Sequence, residues 1–187
     1  LLTEALQSET PVLFVEHRQL YGLKGKVSAD YYRTPFGKAQ VLRPGKDVTL
    51  VALSQMVHES LKAAEQLSKE GIEVEVVDPR TLAPLDEETI LTSVRKTGRL
   101  VVVDNGWTVC GASAEIAARA AEHAFGALKA PVARVGFPHT STPSSHVLEA
   151  AYYPNWETVA AAVQRVLNRT ERARTEAGDA KGLRESW

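Results

Sequence analysis

Along most of this chain a short apolar run is followed by a stretch in which apolar residues recur at three- and four-residue steps. The stretch from Gly98 to Phe125 shows the unit most plainly. Leu100 to Val103 is apolar without a break and holds three β-branched residues, which predicts a strand covered on both faces in the middle of a sheet. From Ala112 the period becomes helical, with Ile116, Ala120, Ala124 and the neighbouring Ala117 and Phe125 on one face. Earlier, Asp47 to Leu53 predicts another buried strand. Ser54 is then the candidate cap of a helix whose inner face is Val57, Leu61, Ala64 and Leu67, and Gly71 stands where a C-terminal glycine belongs. Ile72 to Val77 alternates apolar and acidic residues, the period of a strand with one wetted face, nearer an edge. Asp86 is placed to cap a helix from Glu87 to Lys96, with acids at its start, bases at its end, and Ile90, Leu91 and Val94 inward. Gly98 stops it.

After the central unit, Pro131 to Val135 predicts a short strand and Phe137 to Ser145 a loop. His146 to Tyr153 reads as a helical segment halted by Pro154. Asn155 caps a last helix with Trp156, Val159, Val163, Val166 and Leu167 inward. Strands alternating with helices predict an α/β fold, a three-layer sandwich with a mostly parallel sheet joined by right-handed crossovers.

The ends do not share this rhythm. Leu1 to Gln7 reads as the last turns of a helix and Val12 to Val15 as a short strand; such a pair cannot bury its own apolar faces, so its partners are expected in a neighbouring body. Residues 17–37 show no sustained period and carry three glycines and a proline, as a linker would. Lys38 to Leu42 starts a strand, and Pro44-Gly45 turns the chain. Beyond Asn168 almost no large apolar residue remains. The expected division is 1–34 (domain end and linker), 35–168 (a complete domain) and 169–187 (a solvated tail).

The 22 basic and 23 acidic residues nearly cancel without a polybasic cluster, which argues against nucleic acid or a membrane surface as partner. No apolar stretch approaches the ~20 residues that span a bilayer. A single cysteine, Cys110, excludes an internal disulfide and fits a reducing compartment such as a bacterial cytoplasm. The chain starts with Leu and shows no signal-peptide pattern, so it is expected to begin inside a longer protein.

Candidate chemistry is sparse. Gly106 and Gly111 have the gap of a phosphate loop, but Ala112-Ser113 stand where Lys-Ser or Lys-Thr is required, and no third glycine completes a dinucleotide fingerprint. A tight turn and close helix packing explain these glycines better. The five histidines lack metal-ligand spacing; His139 and His146 draw the most attention because they flank a loop after a strand. Cys110 has no base beside it in sequence. A complete catalytic set cannot be assembled.

Several stretches in order resemble one family. Val12-Leu-Phe-Val-Glu-His-Arg-Gln-Leu-Tyr-Gly, Gly45-Lys-Asp-Val-Thr-Leu-Val-Ala-Leu-Ser, Val76-Val-Asp-Pro-Arg-Thr-Leu-Ala-Pro-Leu-Asp, Thr97-Gly-Arg-Leu-Val-Val-Val-Asp, Ala114-Glu-Ile-Ala-Ala and Glu149-Ala-Ala-Tyr-Tyr-Pro are similar to the β subunit of thiamine-diphosphate-dependent 2-oxoacid dehydrogenases, the E1 component of the pyruvate, branched-chain and acetoin type. The resemblance implies that residues 1–34 end a pyrimidine-binding domain and its linker, and that 35–168 form a transketolase C-terminal domain. It implies an oxidoreductase of heterotetrameric, multienzyme-complex type that decarboxylates a 2-oxoacid on thiamine diphosphate and acylates lipoyl-E2. Cofactor and magnesium would be held elsewhere, and the implied partners are an E1 α subunit or equivalent domain, a second β subunit and the E2 acyltransferase. This portion would serve assembly and E2 docking and be inactive alone. The turn at Ala5, Leu6, Ser8 and Thr10 matches one that contributes oxygens to a structural potassium ion in animal relatives. Trp107-Thr-Val-Cys-Gly-Ala-Ser departs from the glycine-rich turn common there. The competing reading is a free-standing, non-catalytic α/β binding or scaffold domain.

Overall fold

Val48 to Ala52 is buried at every position, as a strand covered on both faces has to be, and the rest of the molecule is layered around it. The computed structural model describes residues 1–168. Its strands are β1 (Gln40–Arg43), β2 (Val48–Ala52), β3 (Val74–Asp78), β4 (Leu100–Trp107) and β5 (Ala133–Phe137), in the spatial order β1-β3-β2-β4-β5. β3, β2, β4 and β5 run parallel, and β1 lies antiparallel along the outer side of β3. The helices are α1 (Leu2–Leu6), α2 (Met56–Lys69), α3 (Glu87–Thr97), α4 (Ala112–Ala124), α5 (His146–Tyr152) and α6, residues 156–168.

Strand pleat decides which helix meets which residue. Val48, Leu50 and Ala52 point with Val74, Val76, Val101 and Val103 toward α2 and α6, which contribute Met56, Ala64, Leu67, Val159 and Val163. Val51, Val77, Leu100 and Val102 point the other way, toward Ile90, Leu91 and Val94 of α3 and Ile116, Ala120 and Ala124 of α4. The expected three-layer α/β sandwich is the fold observed. Each Val or Leu so buried contributes about 1.5–3 kcal/mol relative to exposure.

Local chemistry sets the helix ends. Asp86 accepts hydrogen bonds from Thr89 N–H at 3.2 Å, the Thr89 hydroxyl at 2.8 Å and Ala39 N–H at 2.9 Å. Burial works against its charge, but these bonds outweigh it and hold the carboxyl below its ordinary range. Gly98 closes α3 with φ +74° and Gly71 follows α2 with φ +80°. Asn155 Oδ1 accepts Thr158 N–H at 3.0 Å, the expected cap of α6.

Other expectations need correction. Ser54 does not cap α2: its φ of +53° places it in the corner before the helix, which starts without a side-chain cap bond. Val12 to Val15 forms no strand, and Leu13 is 90% exposed; among the described residues nothing pairs with it, and a strand exists only through its partner. Phe125 is 77% exposed because α4 gives way to a tighter turn at that residue, rotating the ring off the buried face. β4 runs on through Asn105 and Gly106 to Trp107, past the expected end at Val103, with an irregular register against β5. β3 has no wetted face at Glu75, which is 2% exposed: β1 covers that edge, and the carboxylate receives Lys96 Nζ from α3 and Gly45 N–H at 3.2 Å. The expected tail, 169–187, lies outside the described residues.

Candidate functional site at the carboxyl edge of the sheet

In parallel α/β sheets, ligands gather beyond the carboxyl ends of the strands, where neighbouring strands send their chains to opposite sides. Here that point lies between β2 and β4: β2 leads through α2 to β3 on one side, and β4 through α4 to β5 on the other. Non-glycine residues with left-handed φ follow three adjacent strands at this edge: Ser54 after β2, Arg80 after β3 and Cys110 after β4. Such conformations cost of order 1–3 kcal/mol each and turn the chain sharply away from the sheet.

The polar groups delivered there are Gln55, Asp78, Asp104 and Asn105. Asn105 Nδ2 donates to Gln55 Oε1 at 3.1 Å and lies 3.0 Å from Nε2 of His17, which comes from the leading segment. Desolvation raises the Asp78 carboxyl above its ordinary value, against the opposing pull of Arg80 N–H, the Arg80 guanidinium and His58. Desolvation likewise raises Asp104, opposed by a hydrogen bond from Asn105 N–H. The Asp78 carboxylate accepts Arg80 N–H at 2.9 Å and so closes the corner that Arg80's left-handed φ begins.

Beside this edge is an aromatic cluster. Phe137 packs on Tyr152 and Tyr153 with centroids 5.0 and 5.3 Å apart, and His139 meets the Trp107 ring edge-on at 5.7 Å. Tyr152 donates its hydroxyl to Thr140 O at 3.3 Å, pinning the 138–145 loop, and accepts Trp107 Nε1–H at 3.4 Å.

A family profile described as "Transketolase, C-terminal domain" matches residues 37–159. This chain belongs to the transketolase C-terminal domain family. It is 49% identical over 167 residues to the β subunit of an acetoin:2,6-dichlorophenolindophenol oxidoreductase of Cupriavidus necator, covering 89% of this chain and 49% of that one. To the pyruvate dehydrogenase E1 component subunit beta of Bacillus subtilis it is 42% identical over 168 residues, covering 89% and 51%. A solved structure of a split gene transketolase, an inactive β4 tetramer, superposes with a TM-score of 0.66 at 33% identity over 80% of this chain and 47% of that one. The chain spans about half the length of the curated relatives it matches. Those relatives are β subunits of enzymes, and the resemblance seen in the motifs is to the same family.

Within this transketolase C-terminal domain, the glycine loop is a packing device. A Cβ at Gly111 would lie 2.1 Å from Trp107 O, and one at Gly106 would lie 2.8 Å from Asp104 Oδ2. A carboxylate beside both glycines also disfavours phosphate there. His139 and His146 are not brought to a shared site: the first is an aromatic neighbour of Trp107 and the second pairs with Glu149 at 3.2 Å on the surface. No described group of three or more His, Cys, Asp and Glu could hold a metal, and no described helix is long and apolar enough to cross a membrane. The Ala5, Leu6, Ser8, Thr10 turn lies before the family domain. Ser8 N–H donates to Ala5 O at 3.2 Å, the Ser8 and Thr10 hydroxyl oxygens are 3.0 Å apart, and Leu6 is exposed. Gln55, Asn105 and Asp104 escaped the sequence reading; their one visible signal is a polar residue one or two positions behind a buried apolar run.

Proposed function

We propose that this chain is the part of a 2-oxoacid dehydrogenase E1 β subunit that carries the transketolase C-terminal domain, and that it serves subunit assembly and docking of the E2 acyltransferase. The observation that carries this reading is an ordered similarity to β subunits over 89% of the chain, joined to a domain whose core is closed by its own residues. The leading segment, by contrast, exposes Leu6, Leu13, Val15 and Val27 at 79–90%. Residues 1–34 are then the end of the pyrimidine-binding domain and its linker, and 35–168 the C-terminal domain. In the assembled enzyme an E1 α subunit or equivalent domain and a second β subunit complete the active centre, in a bacterial cytoplasm or an equivalent reducing compartment.

Thiamine diphosphate would supply the carbanion-stabilising ylid for decarboxylation, with its magnesium held by the partner. Among the described residues, the sheet edge presents the half-buried carboxyls of Asp78 and Asp104, whose charge would oppose a diphosphate there, which supports placing the cofactor elsewhere. The Ala5, Leu6, Ser8 and Thr10 oxygens, largely main-chain ones, are hard donors of the kind potassium takes. They would form part of that ion's shell.

Isothermal titration with the subunit-binding domain of a cognate E2 tests the docking role. Saturable binding at or below micromolar concentration is expected. No detectable binding at high micromolar concentration would favour the free-standing scaffold reading instead.

A further inference from the structure

From Glu9 to Arg33 every residue is exposed except His17 and Leu20. Over some twenty-five residues, then, the leading segment is anchored at one short turn. That turn is built to present an imidazole. Arg18–Leu20 is a single 3-10 turn whose capping residue is His17, Leu20 N–H returns to His17 O at 2.9 Å, and Tyr21 donates its hydroxyl to Glu16 Oε2 at 2.9 Å. The ring reaches the carboxyl edge of the sheet at the point between β2 and β4, where Asn105 Nδ2 lies 3.0 Å from Nε2 and holds Gln55 Oε1 at 3.1 Å.

We propose that Gln55 and Asn105 form a docking socket at this switch point, and that its occupant is His17 of the chain's own leading segment. A crevice that other sheets of this class leave open for a small ligand is here the fixed joint between segment and domain. The backbone around it explains the arrangement. Ser54 at φ +53° turns the chain between β2 and α2 so that Gln55 starts the helix beside the socket, and β4 continues past its buried run to carry Asn105 out over the edge. Gln55 fixes the Asn105 amide, and the amide in turn meets the ring. The imidazole has one proton when neutral, while Gln19 N–H also approaches its Nδ1 at 3.3 Å. With the proton on Nδ1 the Asn105 nitrogen donates to Nε2; with the proton on Nε2 the amide turns its oxygen to the ring and Gln55 reverses with it. Both arrangements join the same three side chains. The proposal stands on this geometry and does not depend on the enzyme assignment.

Limited trypsin digestion of the full chain reads the joint directly, because Arg18 lies next to the peg. In the intact protein cleavage after Arg18 is slow, since it needs the turn to leave the socket. His17→Ala and His17→Phe are each expected to raise its rate about tenfold, the second because a ring without nitrogens cannot bond the amide. Asn105→Ala is expected to match them, and His17→Ala combined with Asn105→Ala to add nothing further. Gln55→Ala serves as an independent probe of the socket if Asn105→Ala fails to fold, with an expected rise of a few fold. The urea midpoint should stay unchanged in the His17 variants, which separates a released joint from a loosened domain. Cleavage rates equal to the parent's in either His17 variant, or multiplicative effects in the double variant, would overturn the proposal.

Discussion

Replacing Lys96 by methionine removes the cation that faces a buried carboxylate. Glu75 is 2% exposed in the middle of β3, and its described partners are Lys96 Nζ and Gly45 N–H at 3.2 Å. Breaking a fully buried ion pair from one side costs about 3–5 kcal/mol, because the remaining charge stays desolvated without its counter-charge. Lys96 is itself 49% exposed, so solvent screens part of the attraction; the expected cost of Lys96→Met falls to about 2 kcal/mol. For a domain of this size that is a drop in Tm of roughly 4–8 °C. Removing both charges should do less harm than removing one: Glu75→Leu with Lys96→Met leaves only the Gly45 N–H without its acceptor and should recover about half of the loss. Urea unfolding of the four proteins of this cycle measures both numbers. A loss below about 0.5 kcal/mol for Lys96→Met, or a double variant weaker than the single, would refute the reasoning.

Three further substitutions probe the sheet edge and two of the glycines. Asp104 has its carboxyl raised by burial, so between the ordinary and the raised value the folded state binds more protons than the unfolded, and stability falls as pH rises through that window. Asp104→Asn should therefore be more stable than the parent at pH 7, the gain vanishing below the ordinary carboxylate value of about 4; chemical denaturation across pH checks this, and a pH-independent gain contradicts it. Gly111→Ala places a Cβ 2.1 Å from Trp107 O and should cost about 2 kcal/mol or more, whereas Gly126→Ala, with nothing within 4 Å, should change stability by less than about 0.5 kcal/mol; equal effects in thermal melts would count against the packing role of the loop.

Where the controlling chemistry was local, the sequence was readable. Asp86 and Gly98 bracket α3 because a carboxylate three residues before an N–H and a glycine free to take positive φ act within a single turn. The apolar run Leu100 to Val103 announced a covered strand for the same reason. Glu75 misled, because alternation shows only that one face is polar; whether that face is wet depends on Lys96, twenty-one residues away, and on β1 along the edge. Val12 to Val15 misled in the opposite sense, since β-propensity does not supply a neighbouring strand. Ser54 has the chemistry of a cap but is spent on the corner that turns the chain into α2. The joint at the sheet edge was the least legible feature. His17 and Asn105 are 88 residues apart and Gln55 and Asn105 are 50 apart, with no spacing rule linking them. The crossover order of the strands brings Gln55 and Asn105 together, and the turn of the leading segment carries His17 to them.

Under the proposed assignment, this chain would build an assembly domain while the reactive cofactor sits largely with its partner. Titrating thiamine diphosphate with magnesium into the purified chain, then into the chain mixed with its cognate α subunit, measures that division directly. No cofactor-like affinity is expected for the chain alone, and stoichiometric binding is expected once the heteromer has formed. Tight, saturable binding by the chain alone would contradict that assignment.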